Sequence, residues 1–124
     1  IHALVVHGND GLDEVTTTDS TQVSEFKGGN VRDYEINPKE FGIKTAKPGD
    51  LKGGDISQNA KIALAVLNGD KGPHRDIVLM NAGCAIYAAD GAGSIREGIK
   101  IAEESIDSRH GLKKLEQLKE VTSR

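Results

Sequence analysis

The chain has 124 residues and a formal charge of -3, a length that fits one ordinary domain with a core of its own. Its 16 Lys and Arg are interspersed among 19 Asp and Glu, so it presents neither a basic stripe for a nucleic-acid backbone nor a polybasic membrane patch. Aromatic residues are 3 % and Trp is absent, which points to a core of small and aliphatic side chains rather than an aromatic centre.

No apolar run reaches the roughly 18 residues needed to span a bilayer, and no secretory-signal pattern is present. The lone cysteine, Cys84, stands in an apolar run among small residues. It reads as a buried, uncatalytic thiol in a reducing, cytoplasmic setting. The opening "IHALVV" enters directly into a strand without a polar lead-in, as a fragment or a processed chain would.

In chain order, Ala3 to Val6 is a continuous apolar run that predicts a buried strand, ended by Gly8 to Gly11. Val23 to Phe26 and Val31 to Ile36 predict two further strands, joined by a hairpin at "KGGN", Lys27 to Asn30. Pro38 opens a helical turn at "PKEFGI", with Phe41 and Ile43 as apolar plugs. Lys44 to Asp55 is glycine-rich and polar, and reads as a mobile surface loop.

The second half is helical. "DISQ" places an N-cap acid at Asp55, and Ile56, Ala60, Ala63, Leu64 and Leu67 recur at helical intervals up to Gly69. Pro73 to Ala89 is apolar nearly all round, which predicts a buried helix. "SIRE", Ser94 to Glu97, repeats the capping spacing ahead of a face of Ile95, Ile99, Ala102 and Ile106. A last helix, about Gly111 to Val121, carries Leu112, Leu115 and Leu118.

The chemistry is concentrated near the start, in "VVHGNDGLDEVT". Adjacent acids such as Asp13 and Glu14 usually solvate a surface or cap a turn. Here they follow a strand that feeds a glycine-containing loop, where open α/β sheets place ligands. Two neighbouring carboxylates there suit Mg²⁺, which takes hard oxygen ligands together with waters and substrate phosphates.

The remaining polar residues give weaker signals. His2 and His7 lack the spacing of a zinc site, and His74 and His110 lie near helix ends, where solvated or capping roles are expected. "GGD" at Gly53 to Asp55 has the look of a phosphate-binding turn, but the cap acid would repel an anion. Asn59 and Asn81 read as residues that tie helix to helix by hydrogen bonds.

Taken together, "HGNDGLDEVT", "PKEFGI", "LKGGDISQNAKIALAVLNGDKGPHRDIVLMNAGCAIYAAD" and "SIREGIKIAEESIDS" resemble the carboxyl-terminal part of the anthranilate phosphoribosyltransferases, which share a fold with the pyrimidine nucleoside phosphorylases. The resemblance implies an α/β fold: part of a mixed, mostly parallel sheet flanked by helices, with residues 1–124 forming about the last third of the enzyme. By the same resemblance the enzyme's amino-terminal helical domain is expected to lie outside these residues, and its "GTGGD" and "KHGN" motifs do not occur in them.

The implied reaction transfers a 5-phosphoribosyl group from phosphoribosyl pyrophosphate to anthranilate and releases pyrophosphate, in tryptophan biosynthesis. By the same resemblance Asp13 and Glu14 match the pair that binds Mg²⁺ with phosphoribosyl pyrophosphate, Gly8 and Gly11 match the glycines that shape its loop, and the full enzyme is a homodimer. The chain alone is expected to be inactive. Other readings are a related nucleoside phosphorylase or transferase with a different acceptor, or a non-catalytic nucleotide- or nucleic-acid-binding module. The acidic balance and few aromatics disfavour nucleic acid.

Overall fold

The turn expected at Lys27 to Asn30 forms around Gly28 and Gly29, whose φ angles are 59° and 84°. Two successive positive φ values match the right-handed twist of the strands they join, and glycine adopts them without a Cβ penalty. In the computed structural model, which describes residues 1–123, this hairpin joins β2 (Thr21–Lys27) to β3 (Asn30–Ile36), and β1 (His2–Gly8) pairs along the other edge of β2. Two 3₁₀ turns, Pro38–Phe41 and Pro48–Leu51, lead to α1 (Ile56–Leu67), α2 (Pro73–Ala88), α3 (Ile95–Asp107) and α4 (His110–Thr122).

The architecture is α/β, but both strand pairings are antiparallel, in the order β1-β2-β3. The mostly parallel sheet that was expected is therefore not formed by the strands of this chain. Connectivity is the reason, since neither the two-residue turn nor the loop 9–20 contains the crossover element that parallel neighbours require.

The inner face of the sheet, with Leu4, Val6, Val23, Tyr34 and Ile36, packs with Val15 against Met80, Cys84 and Tyr87 of α2 and Ile95 of α3. Phe41 and Ile43 close one side of this core, as their place after Pro38 suggests. A second cluster joins Val66, Leu79, Ala102 and Ile106 of α1, α2 and α3. α2 thus lies between two clusters, which accounts for its lack of a polar face.

Two apolar faces differ from expectation. β1 is covered on one side only: Leu4 and Val6 are half-buried, while Ala3, Val5 and His7 are exposed, Val5 at 71 %. A strand buried on both faces would need a layer on each, and the described residues supply a single layer. On α1 the buried residue is Val66, whereas Ile56, Ala60, Ala63 and Leu64 are exposed. α4 buries no residue fully.

The helix ends follow the local chemistry. Asp55 accepts the Gln58 N–H at 2.8 Å and Ser94 accepts the Glu97 N–H at 3.2 Å. Glu97 reaches back to the Gly93 N–H at 2.7 Å, one residue earlier than a capping box would place it. Gly69, with φ 97°, ends α1 as Gly69 and Asp70 donate to the carbonyls of Val66 and Ala65. The Lys44 to Asp55 segment is tied down by an Ala46 N–H bond to the Thr17 carbonyl at 2.9 Å, and by the Asp50 carboxylate on the Lys47 N–H.

Candidate functional site

The segment after β1 folds back on itself at two glycines. Gly8 N–H donates to the Leu12 carbonyl at 2.9 Å, and Gly11 N–H to the Gly8 carbonyl at 2.8 Å. Gly8 is buried where a Cβ would stand 2.5 Å from Asp10 Oδ1, and Gly11 has φ 95°. A side chain at either position would open the turn.

Asp10, itself exposed, holds the loop together. Its carboxylate accepts from the Thr16 hydroxyl at 2.6 Å, from the Thr18 hydroxyl, and from the Leu12 N–H at 3.2 Å. Desolvation alone would push this carboxyl up, but the hydrogen bonds outweigh it and hold the group below its ordinary value. Thr21 of β2 adds a hydroxyl acceptor for the Thr16 N–H at 3.0 Å. Sequence reasoning passed over Asp10; its signal is an acid followed within eight residues by the run Thr16, Thr17 and Thr18.

The far end of the loop is fixed by α2. The Asn81 side chain accepts the Val15 N–H at 2.9 Å and donates to the Val15 carbonyl at 2.8 Å and to the Ile77 carbonyl at 3.0 Å. Asn81 therefore ties a helix to a loop rather than to another helix. Asn59 does neither: its exposed amide closes on the backbone of Gly54, at 2.8 and 3.1 Å.

Asp13 and Glu14 occupy the short span between these anchors, both exposed, ahead of the buried Val15. Neither carboxylate is engaged in a hydrogen bond or ion pair among the described residues. The donor set is two adjacent hard oxygen groups on a fixed loop, which fits Mg²⁺ as one side of a site completed by water and phosphate. No group of three or more His, Cys, Asp or Glu among the described residues is arranged to hold a metal alone. A cleft of about 450 Å³ opens beside the loop, lined by Asp10, Leu12, Thr18, Pro48, Leu51 and Lys52 among others.

The other sequence candidates lie apart from the acid pair, several of them in structural roles. Gly54 N–H is already bonded to Asn59, and Asp55 caps α1, so "GGD" does not present a free phosphate cradle. His2 is an interior residue, bridging Glu25 and Asp90 at 2.9 Å each and standing edge-on to Tyr87. His7 is exposed on the outer face of β1, and His110 contacts Ser108 at 3.0 Å. His74 departs from the solvated role expected of it: its Nε2 is buried in the apolar groove between α1 and α2 without a partner among the described residues. Cys84 is buried, and burial pushes its thiol up to about 11, far from the range of a reactive thiolate.

The profile described as "Glycosyl transferase family, a/b domain" matches residues 1–111. The chain belongs to that family. Within the family it is 56 % identical over 116 residues to the anthranilate phosphoribosyltransferase of Methanocorpusculum labreanum, covering 94 % of this chain and 34 % of that protein. The enzyme of Clostridium beijerinckii is 48 % identical over 116 residues, with the same coverage.

Among solved structures, anthranilate phosphoribosyltransferase from Thermus thermophilus superposes with a TM-score of 0.84 at 38 % identity, covering 94 % of this chain and 34 % of that one. The Saccharomyces cerevisiae enzyme in complex with PRPP (phosphoribosyl pyrophosphate) and Mg superposes at 0.81 with 31 % identity, covering 91 % and 33 %. The chain therefore spans about a third of the length of these relatives.

Proposed function

We propose that this chain is the carboxyl-terminal portion of an anthranilate phosphoribosyltransferase, contributing Asp13 and Glu14 to the site that binds Mg²⁺ with phosphoribosyl pyrophosphate. The observation that carries this reading is the pair of unengaged carboxylates on a loop pinned at both ends. It lies within a chain 48 to 56 % identical to two enzymes of that name. A structural relative also binds PRPP and Mg.

In this reading the full enzyme transfers the 5-phosphoribosyl group to the amino nitrogen of anthranilate, in tryptophan biosynthesis. Bound Mg²⁺ would supply charge neutralisation and orientation of the departing pyrophosphate. The chain's own contribution is positioning: Gly8 and Gly11 shape the turn, Asp10 stiffens it, and Asp13 and Glu14 present their oxygens without first breaking internal bonds. No covalent nucleophile is required.

The anthranilate and pyrophosphate contacts belong to the remaining two thirds of the enzyme, so the 124-residue chain alone is inactive. Strands from that portion complete a mostly parallel sheet beside the free edge of β1, and the whole acts as a homodimer in the cytoplasm. No helix among the described residues is long and apolar enough to cross a membrane.

The test is Mg²⁺-dependent phosphoribosyl pyrophosphate binding, measured by calorimetry in the full-length enzyme carrying Asp13→Asn and Glu14→Gln. Binding is expected to weaken sharply with the fold intact; unchanged affinity and rate would refute the metal role. Phosphoribosyl anthranilate formation by the 124-residue chain would refute its dependence on the rest of the enzyme.

A further inference from the structure

The geometry points to Asn81 as a positioning residue for the acid pair, an inference that rests on the metal-site reading of Asp13 and Glu14. Asn81 stands on α2, and its amide meets the loop 66 residues earlier in sequence. It uses its oxygen and both amide hydrogens at once, on Val15 N–H, Val15 carbonyl and Ile77 carbonyl. The Ile77 bond fixes the rotamer of the side chain against its own helix. The two Val15 bonds then transfer that fixed position to the loop backbone.

Val15 is one residue beyond Glu14 and is 1 % exposed. On the other side, Leu12 is one residue before Asp13, with its carbonyl bonded to Gly8 N–H and its N–H bonded to Asp10. Asp13 and Glu14 are thus a two-residue span between pinned neighbours, and a trans peptide sets each Cα about 3.8 Å from the next. Their side chains have no partners among the described residues that would hold them in the absence of a ligand. Placement of the carboxylates must then come from the backbone, and at the Glu14 end the backbone is set by Asn81.

Groups that orient metal ligands without touching the metal typically change affinity about 10- to 100-fold when removed. Asn81→Ala in the full-length enzyme is therefore expected to raise the Mg²⁺ concentration for half-maximal phosphoribosyl pyrophosphate binding by roughly that factor. The rate should be recovered by added Mg²⁺, and hydrogen exchange at the Val15 amide should quicken. Leu79→Ala serves as the control, because Leu79 is buried on the same helix but in the other cluster, with Val66, Ala102 and Ile106 rather than Val15. It should lower the melting temperature while leaving the Mg²⁺ requirement unchanged.

A purely structural Asn81 would behave as Leu79 does, with lost stability, wild-type Mg²⁺ dependence and no recovery by added metal. That result overturns the proposal. Should Asn81→Ala fail to fold, Asn81→Leu retains packing volume while removing the clamp, and is read in the same way. The parallel Asp13→Asn variant separates the two levels: Mg²⁺ dependence altered in Asp13→Asn but not in the Asn81 variants rejects the positioning role alone, whereas no change in either rejects the metal-site reading as well.

Discussion

Nε2 of His2 and Oε1 of Glu25 lie 2.9 Å apart, although β1 and β2 place Leu4, not His2, directly opposite Glu25. The contact is a diagonal one across the inner face of the sheet. Glu25 is only 7 % exposed and also accepts from the Tyr87 hydroxyl at 2.7 Å, so one carboxylate joins β1, β2 and α2.

Acid should loosen this junction. Desolvation acts to raise the Glu25 carboxyl, but hydrogen bonds from Tyr87, His2 and Tyr34 outweigh it and hold the group below its ordinary value of 4.5. A carboxyl depressed in the folded state contributes stability above its unfolded value and loses it as the pH falls through the folded value. The urea midpoint should therefore fall as pH drops below about 4.5. Glu25→Gln should lower the midpoint at pH 7 and flatten that acid dependence; an unaltered acid profile would show that Glu25 is not its source.

The crossing of α2 and α3 depends on two glycines. A Cβ on Gly98 would run into the Gly83 carbonyl, which is backbone and cannot rotate away. Gly98→Ala gains about 1 kcal/mol in helix propensity. Overpacking costs roughly 1 to 3 kcal/mol, and a backbone obstruction favours the upper part of that range. Net destabilisation is expected in chemical denaturation, and a stabilised variant would disprove the close packing.

The loop separates residues that hold it from residues it displays. Asp10→Ala removes the acceptor from the fully buried Thr16 hydroxyl and should cost about 1 to 3 kcal/mol. Asp13→Asn and Glu14→Gln, at exposed positions, should change stability by no more than about 0.5 kcal/mol. Denaturation midpoints of the three variants provide the check. A large loss in either of the latter two would assign it a structural role.

Cys84 should resist alkylation. Cys84 is 5 % exposed and its thiol is pushed up to about 11 by burial, so at pH 8 both access and thiolate content oppose reaction. Mass spectrometry after iodoacetamide treatment is expected to show slow modification when folded and rapid modification in denaturant. Equal rates would contradict the packing of α2 against the sheet.

Much of the local structure was legible. The Gly28-Gly29 turn, the caps at Asp55 and Ser94, the stop at Gly69 and the all-round apolar α2 each depend on interactions within a few residues, where residue type largely decides the conformation. The acid pair was visible as chemistry. Its supports were not, because Asp10 becomes a tether only when the turn brings Thr16 and Thr18 onto it.

The apolar faces mark the limit of such reasoning. Ala3 and Val5 share an apolar run with Leu4 and Val6, and Ile56, Ala60, Ala63 and Leu64 recur at helical spacing, yet all but Leu4 and Val6 are exposed. Periodicity states which side chains share a face, but not what covers it.

The sequence by itself determined the strand and helix segments with several of their caps and turns, because these follow from short-range sterics and hydrogen bonding, and it displayed the adjacent acids Asp13 and Glu14. Only the tertiary structure decided that β1 lies along the other edge of β2, that His2 meets Glu25, and that Asn81 grips Val15 across 66 residues. Such pairings depend on where whole elements pack against one another, and no local preference along the chain specifies that distance.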